Sequence, residues 1–194
     1  MINKKDFAEI RKTMDKIEVK RESIIRNSRE IIGLSKQIIY ALQRDDVKSA
    51  EKLVKDINAK IEKLRDIKID FSIDTNISNV AFQEYVEALC FYDFIRFGKL
   101  PSHKTLKVSS EDYLMGICDL TGELCRKAIF EVIHKRFREA EKIKEIVNEI
   151  YGEFLKFNLR NGELRKKSDS IKWNLKKLEE IMYDVSIKGR VEGS

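Results

Sequence analysis

Four acids stand inside two of the most apolar stretches of the chain: Glu84 and Glu87 in FQEYVEALCFYDFI (Phe82 to Ile95), and Asp119 and Glu123 in YLMGICDLTGELCR (Tyr113 to Arg126). The first two are the only charges between Asn79 and Tyr92, and the second two the only charges between Tyr113 and Leu124. Taking an ionised carboxylate out of water costs several kcal/mol even after relaxation, while a whole domain is stable by only about 5–15 kcal/mol. The set therefore calls for a cation. Spacings of three and four residues put each pair on one helix face, so two such faces packed together would converge four oxygen donors. All-oxygen donors suit magnesium, or manganese, rather than zinc. An ion there would lower the pKa of a bound water and polarise a phosphoryl oxygen, the main requirements for hydrolysing a phosphodiester, with one carboxylate free to act as general base. Gly116, one turn before Asp119 on the same stripe, would leave room for ion, water or substrate. Spacing alone fits ordinary ion pairs equally well, with Arg96 and Arg126 as partners. Other catalytic routes are poorer. The two histidines, His103 and His134, fall in a loop and in a Lys/Arg-rich stretch, and no Gly-rich phosphate loop or nucleophile elbow is present.

The elements that would carry these acids read as helices. A first helix from about Lys4 to Arg44 has isoleucine every seven residues, at Ile10, Ile17, Ile24, Ile31 and Ile38, a coiled-coil-like seam. Its companion positions are Met14, Arg21, Ser28, Ser35 and Leu42, so the middle of the seam is small and polar, as if facing water or ligand. A second helix is expected over about Asp46 to Arg65, then a crossing loop from Asp66 to Ile77. The third helix, about Ser78 to Phe97, is apolar nearly all round, the mark of a helix buried on most sides. Gly98, Pro101 and Ser102 end it. Ser109 or Ser110 caps the fourth, with Glu111 and Asp112 in the first turn where acids suit the helix dipole. A helical pattern from Phe130 to Phe157 breaks near Ile133 to Arg138, and a last helix covers about Glu163 to Ile187. The expected fold is all-α: one domain over residues 1–194, a bundle of about six or seven helices.

With 194 residues, one Pro, 37% charged and 42% hydrophobic residues, the chain is long enough to bury a real core. It contains no apolar run near the roughly 20 residues of a membrane span, and Met1 to Lys20 has no apolar signal-peptide core, so the cytoplasm is the expected location. Cys90, Cys118 and Cys125 form no CxxC and are odd in number, which reads as small buried hydrophobes. A net charge of +6 and pI near 9.1 permit an acidic partner such as nucleic acid.

At QEYVEA (Gln83 to Ala88) and DYLMGICDLTGELCR (Asp112 to Arg126) the chain resembles the translin superfamily, in its translin-associated factor X (TRAX) branch. SIKWNLKKLEEIMYDVSIKGR (Ser170 to Arg190) is similar to that family's last helix. The resemblance implies an all-helical domain assembling into a hollow, octamer-like barrel that holds RNA, with magnesium-dependent endoribonuclease activity. It places the catalytic and metal-binding acids at Glu84, Glu87, Asp119 and Glu123. Translin itself keeps the fold and binds single-stranded nucleic acid without this set of acids. The compact Gly98 to Ser109 connection and short termini depart from eukaryotic TRAX, which works with translin; a compact version would assemble with itself.

For RNA contact the candidates are Arg21, near where the family places basic contacts, Arg126, one turn beyond Glu123, and its neighbour Lys127. Each has a plainer alternative: Arg21 paired with Glu18 or Glu22, Arg126 paired with Glu123, and Lys127 as solvated surface. Tyr85, Tyr92 and Tyr113 read better as core than as base-stacking platforms. The expected function is hydrolysis of single-stranded or short RNA inside a homo-oligomer. The rivals are a non-catalytic RNA or single-stranded DNA binding protein and a coiled-coil adaptor.

Overall fold

The structure is a computed structural model that describes residues 2–68 and 76–191. Seven helices account for the regular structure among them: α1 (Lys4–Gln43), α2 (Val47–Lys68), α3 (Asn76–Phe97), α4 (His103–Leu106), α5 (Ser110–Ile133), α6 (Phe137–Phe154) and α7 (Glu163–Val191). The all-α expectation holds, and no strand occurs among the described residues. None of the helices there is long and apolar enough to cross a membrane.

α1 lies between α2 and α3, and α5 packs on α3, α6 and α7. The α3–α5 contact, which carries all four acids, therefore sits at the centre of the bundle. The isoleucine seam of α1 holds over its second half, where Ile24, Ile31 and Ile38 are fully buried. Two expectations for that seam are corrected. Ser28 and Ser35 are fully buried, so the middle of the seam faces neighbouring helices rather than open solvent: small side chains let those helices come close. At the other end Ile10 and Met14 are exposed together with Phe7 and Val19, because the first turns of α1 run past the body of the bundle.

Local chemistry sets the helix ends. Asn3 caps α1 by accepting from the Lys5 and Asp6 amides, and Ser102 and Ser109 cap α4 and α5 in the same way. The short α4, in what reads as a plain connection, forms because Ser102 supplies that cap. α1 ends on Asp45, whose φ of 62° is left-handed, with the Asp45 N–H donating to the Leu42 carbonyl and the Asp46 N–H to that of Ala41. This is the 6→1, 5→2 closure that satisfies a helix C-terminus. α5 ends the same way at Lys135 (φ 59°), with Arg136 N–H bonded to the Glu131 carbonyl, and this is the break anticipated near Ile133 to Arg138. Neither turn uses the usual glycine. The expected crossing loop falls largely outside the described residues, with α2 running on to Lys68 and α3 starting at Asn76.

Candidate carboxylate site between α3 and α5

The two acid pairs meet because their helices touch almost backbone to backbone. A β-carbon on Gly116 would lie 2.7 Å from the Gln83 carbonyl oxygen and 2.7 Å from Val86 Cβ. Gly116 thus leaves no hollow for a ligand, contrary to the sequence expectation, but lets α3 in at the point where the acids lie on either side. Fixed at that distance, Glu84, Glu87, Asp119 and Glu123 act on one another electrostatically. Glu87 is only 8% exposed. Burial pushes its carboxyl up to about 8, and the negative charges of Asp119, Glu84 and Glu123 add to the effect. Glu84 is raised for the same first reason, with Lys36 and Lys167 pulling the other way.

Three side chains from elsewhere order the acids. Gln43, buried at the end of α1, donates through Nε2 to the backbone carbonyl of Glu123 at 2.9 Å and to its Oε2 at 2.8 Å, so α1 aims this carboxylate. Lys167 on α7 reaches across to bond Asp119 Oδ2. Arg126 approaches Glu123 Oε2 at 3.9 Å, with its own side chain well exposed. The plainer pairing expected for Arg126 is thus present, while Arg96 lies over Phe97 at the end of α3. Gln43, Lys36 and Lys167 are the participants that sequence reasoning misses. Gln43 gives no sequence signal, being one amide in a polar helix end; Lys167 lies in Arg165 to Lys167, a run that reads as solvated surface.

The basic candidates separate. Arg21 stands on the exposed part of α1, 3.7 Å from Glu18, leaving its guanidinium open to a partner. Lys127 requires a correction, being neither an RNA contact nor solvated surface. It is 2% exposed; its ammonium donates to the Leu42 carbonyl at 3.1 Å and Asp45 Oδ1 at 2.5 Å and pairs with Glu131 Oε1 at 3.0 Å. The tyrosines are core, as expected: Tyr85 and Tyr92 are buried, Tyr85 donates to Asn58 Oδ1 and Tyr113 to the Pro101 carbonyl. All three cysteines are buried and free.

By donor type four carboxylates suit a hard divalent cation, and burial holds two of them, Glu87 and Glu84, above their ordinary proton affinity. Among the described residues no three acids, cysteines or histidines already stand in ligating geometry, so holding an ion would take rotations of the long Glu84, Glu87 and Glu123 side chains. One consequence can be measured on the metal-free protein. Because folding raises Glu87 from its usual range to about 8, the folded state binds more protons than the unfolded state between those values, and stability falls as pH rises through that window. In EDTA the chemical denaturation midpoint is expected to drop from pH 5 to pH 8, and Glu87→Gln to flatten the drop.

The fold is an all-helical bundle whose four acids meet at its central helix contact, and the translin family profile matches residues 19–189; the chain belongs to that family. Translin of Gallus gallus is 40% identical over 79 residues, 41% of this chain but 34% of that protein, so the chain matches only about a third of the length of such curated relatives. Translin-associated protein X of Rattus norvegicus is 24% identical, with 94% of this chain and 78% of that protein covered. Among solved structures, AfC3PO superposes with a TM-score of 0.88 at 27% identity, covering 94% of this chain and 98% of that one. AfC3PO in complex with duplex RNA gives 0.83 at 25% identity.

Proposed function

We propose that the chain is a metal-dependent endoribonuclease of the TRAX type, cutting single-stranded or short RNA within a homo-oligomer. The observation that carries this reading is the convergence of Glu84, Glu87, Asp119 and Glu123 at the α3–α5 contact, where burial and the neighbouring negative charges raise the proton affinity of Glu87 and Glu84. A domain that needed only a core would fill this seam with apolar side chains, which is often as stable as ion pairs or more so. The RNA-bound form of AfC3PO supports an RNA substrate, and the likeness to translin-associated protein X over 94% of this chain and 78% of that protein, together with all four acids, favours the catalytic branch over translin.

The four carboxylates would hold magnesium, or manganese in its place. Such an ion would supply positive charge against the phosphate and make a water more acidic. The chain's own residues do the rest. Gln43 fixes the direction of Glu123. Glu84, half-buried and with its proton affinity raised by burial, is the carboxylate suited to accept a proton from an attacking water. Apolar exposure supports assembly: Phe7, Ile10, Met14 and Val19 on α1, and Leu155, Phe157 and Trp173 around the α6–α7 junction, are all exposed in the single chain. An octameric barrel fits the family resemblance.

The test is incubation of the purified protein with end-labelled single-stranded RNA in magnesium or in EDTA. Internal cuts in magnesium alone support the proposal. RNA retained on the protein without cuts in either buffer would leave the non-catalytic binding reading, which the Asp119–Lys167 and Glu123–Arg126 pairs favour, and which would extend to single-stranded DNA. Arg21→Ala is expected to weaken RNA binding alike for all sequences and to lower the slope of log K against log salt by about 1, the signature of one lost phosphate contact; fluorescence anisotropy across a salt series reads both.

A further inference from the structure

Lys167 stands out because it puts a mobile charge where the function needs one. It projects from the second turn of α7, itself registered on α5 by Asn174 Nδ2 donating to Thr121 Oγ1 at 2.8 Å, while Thr121 in turn bonds the Cys118 carbonyl at 2.7 Å. From this fixed base the Lys167 side chain, one-third exposed, spans to Asp119, and its charge acts on Glu84 and Glu87 as well. No other cation is bonded to Asp119 among the described residues. The Glu123 carboxylate is hydrogen-bonded by Gln43, with the exposed Arg126 guanidinium 3.9 Å away, whereas Asp119 is bonded by the Lys167 ammonium. Lysine suits a releasable anchor, because four methylene groups, a compact charge and three rotatable donors let it leave one acceptor for another without disturbing the backbone.

We propose that Lys167 is a tethered counter-ion of the site, bonded to Asp119 when no divalent ion is present and exchanged from that carboxylate for a non-bridging oxygen of the RNA phosphate when one is. Resting on the nuclease reading above, it adds that the resting site is closed by the protein's own cation, which raises the ion concentration needed to open it. Only an ion pair breaks and another forms; no covalent bond or proton transfer is involved.

The experiment measures Mn2+ binding by the RNA-free protein, from the free-ion paramagnetic resonance signal, in wild type, Lys167→Met, Lys36→Met and Glu84→Ala/Glu123→Ala. Methionine keeps most of the stem of Lys167 and the Asn174–Thr121 bond keeps α7 in place. Losing a competing, partly exposed ion pair should tighten Mn2+ binding by about three- to tenfold in Lys167→Met. Lys36→Met, which removes a charge facing Glu84 but no bond to Asp119, should change it less. A second measurement needs no variant: acetylation of Lys167, followed by peptide mass, should be slow in EDTA, speed up severalfold with magnesium, and slow again when uncleavable RNA is added. Equal tightening in the two lysine variants, or Lys167 labelling indifferent to magnesium, would overturn the exchange while leaving the nuclease reading intact. Absence of Mn2+ binding in every protein, the acid double mutant included, would overturn both.

Discussion

Glu84→Ala/Glu123→Ala is expected to cut no RNA while unfolding no more easily than wild type, and in EDTA at pH 8 to be the more stable protein. The loss follows from removing half of the donor set. Charge stabilisation by a bound ion is worth several kcal/mol in a transition state, so cleavage should fall on the order of 10³-fold or further. The gain follows from the same proximity. Glu84 and Glu123 add by repulsion to the rise that burial gives Glu87, so deleting them relieves a cost that the metal-free fold carries. Structural ion pairs behave in the opposite way, since breaking them destabilises. Parallel measurement of cleavage rate and urea midpoint therefore separates a functional cluster from a structural one: a double mutant that is both inactive and markedly less stable would argue that these acids serve the fold. Gln43, left without the Glu123 side chain, keeps its bond to the residue 123 carbonyl, so the helix contact survives.

The second large effect lies away from the acids. Lys127→Met is expected to destabilise the chain by about 3 kcal/mol, the lower end of the cost of stranding a buried charge, read as a shift in denaturant midpoint at constant slope. Lys127 ties the C-terminus of α1 to α5 through the Leu42 carbonyl, Asp45 and Glu131. Arg136 bonds the same two acids, at 2.8 Å for Asp45 Oδ2, and lies with Lys127 over the Phe130 ring. Burial alone would raise Asp45, yet the bonds from Lys127 and Arg136 hold it below the usual carboxylate range. Because Arg136 stays in place, the variant should fold. Adding Glu131→Leu should recover part of the loss, since an apolar pair can replace a buried ionic one at little cost; no recovery would show that Asp45, in its left-handed turn, is the acid that depends on Lys127.

The contrast between these two sites explains what can be read from residues alone. The acids are legible because a charge in an apolar run is anomalous wherever the run packs, and three- and four-residue spacing fixes a shared face before any partner is known. Helix types and the α5–α6 break are legible for similar local reasons, as capping serines and lost periodicity act within a few residues. Lys127 is not, since it stands beside Arg126 in sequence and its hydrogen-bond partners, Leu42 and Asp45, come from the end of α1, more than 80 residues earlier. Gln43 and Lys167 are hidden in the same way: their roles depend on which helix lies opposite. Gly116 is conspicuous in sequence but ambiguous, because a missing side chain signals either a cavity or a close approach, and only the neighbouring backbone decides. The alternating Ile and small-residue seam of α1 suggests a uniform stripe, whereas burial begins only near Ile24.

That late onset of burial has a consequence in time rather than in space. At 1.5 Å per residue, the stretch of α1 ahead of Ile24 extends about 30 Å with little to pack against, and an isolated helix of this length is marginal in water. Its amides should therefore exchange with solvent near the rate set by helix–coil fraying, while those beyond Ile24 open only with the bundle. In one polypeptide chain a single helix would then keep two clocks, the faster slowing with protein concentration wherever its exposed side chains find cover on another molecule.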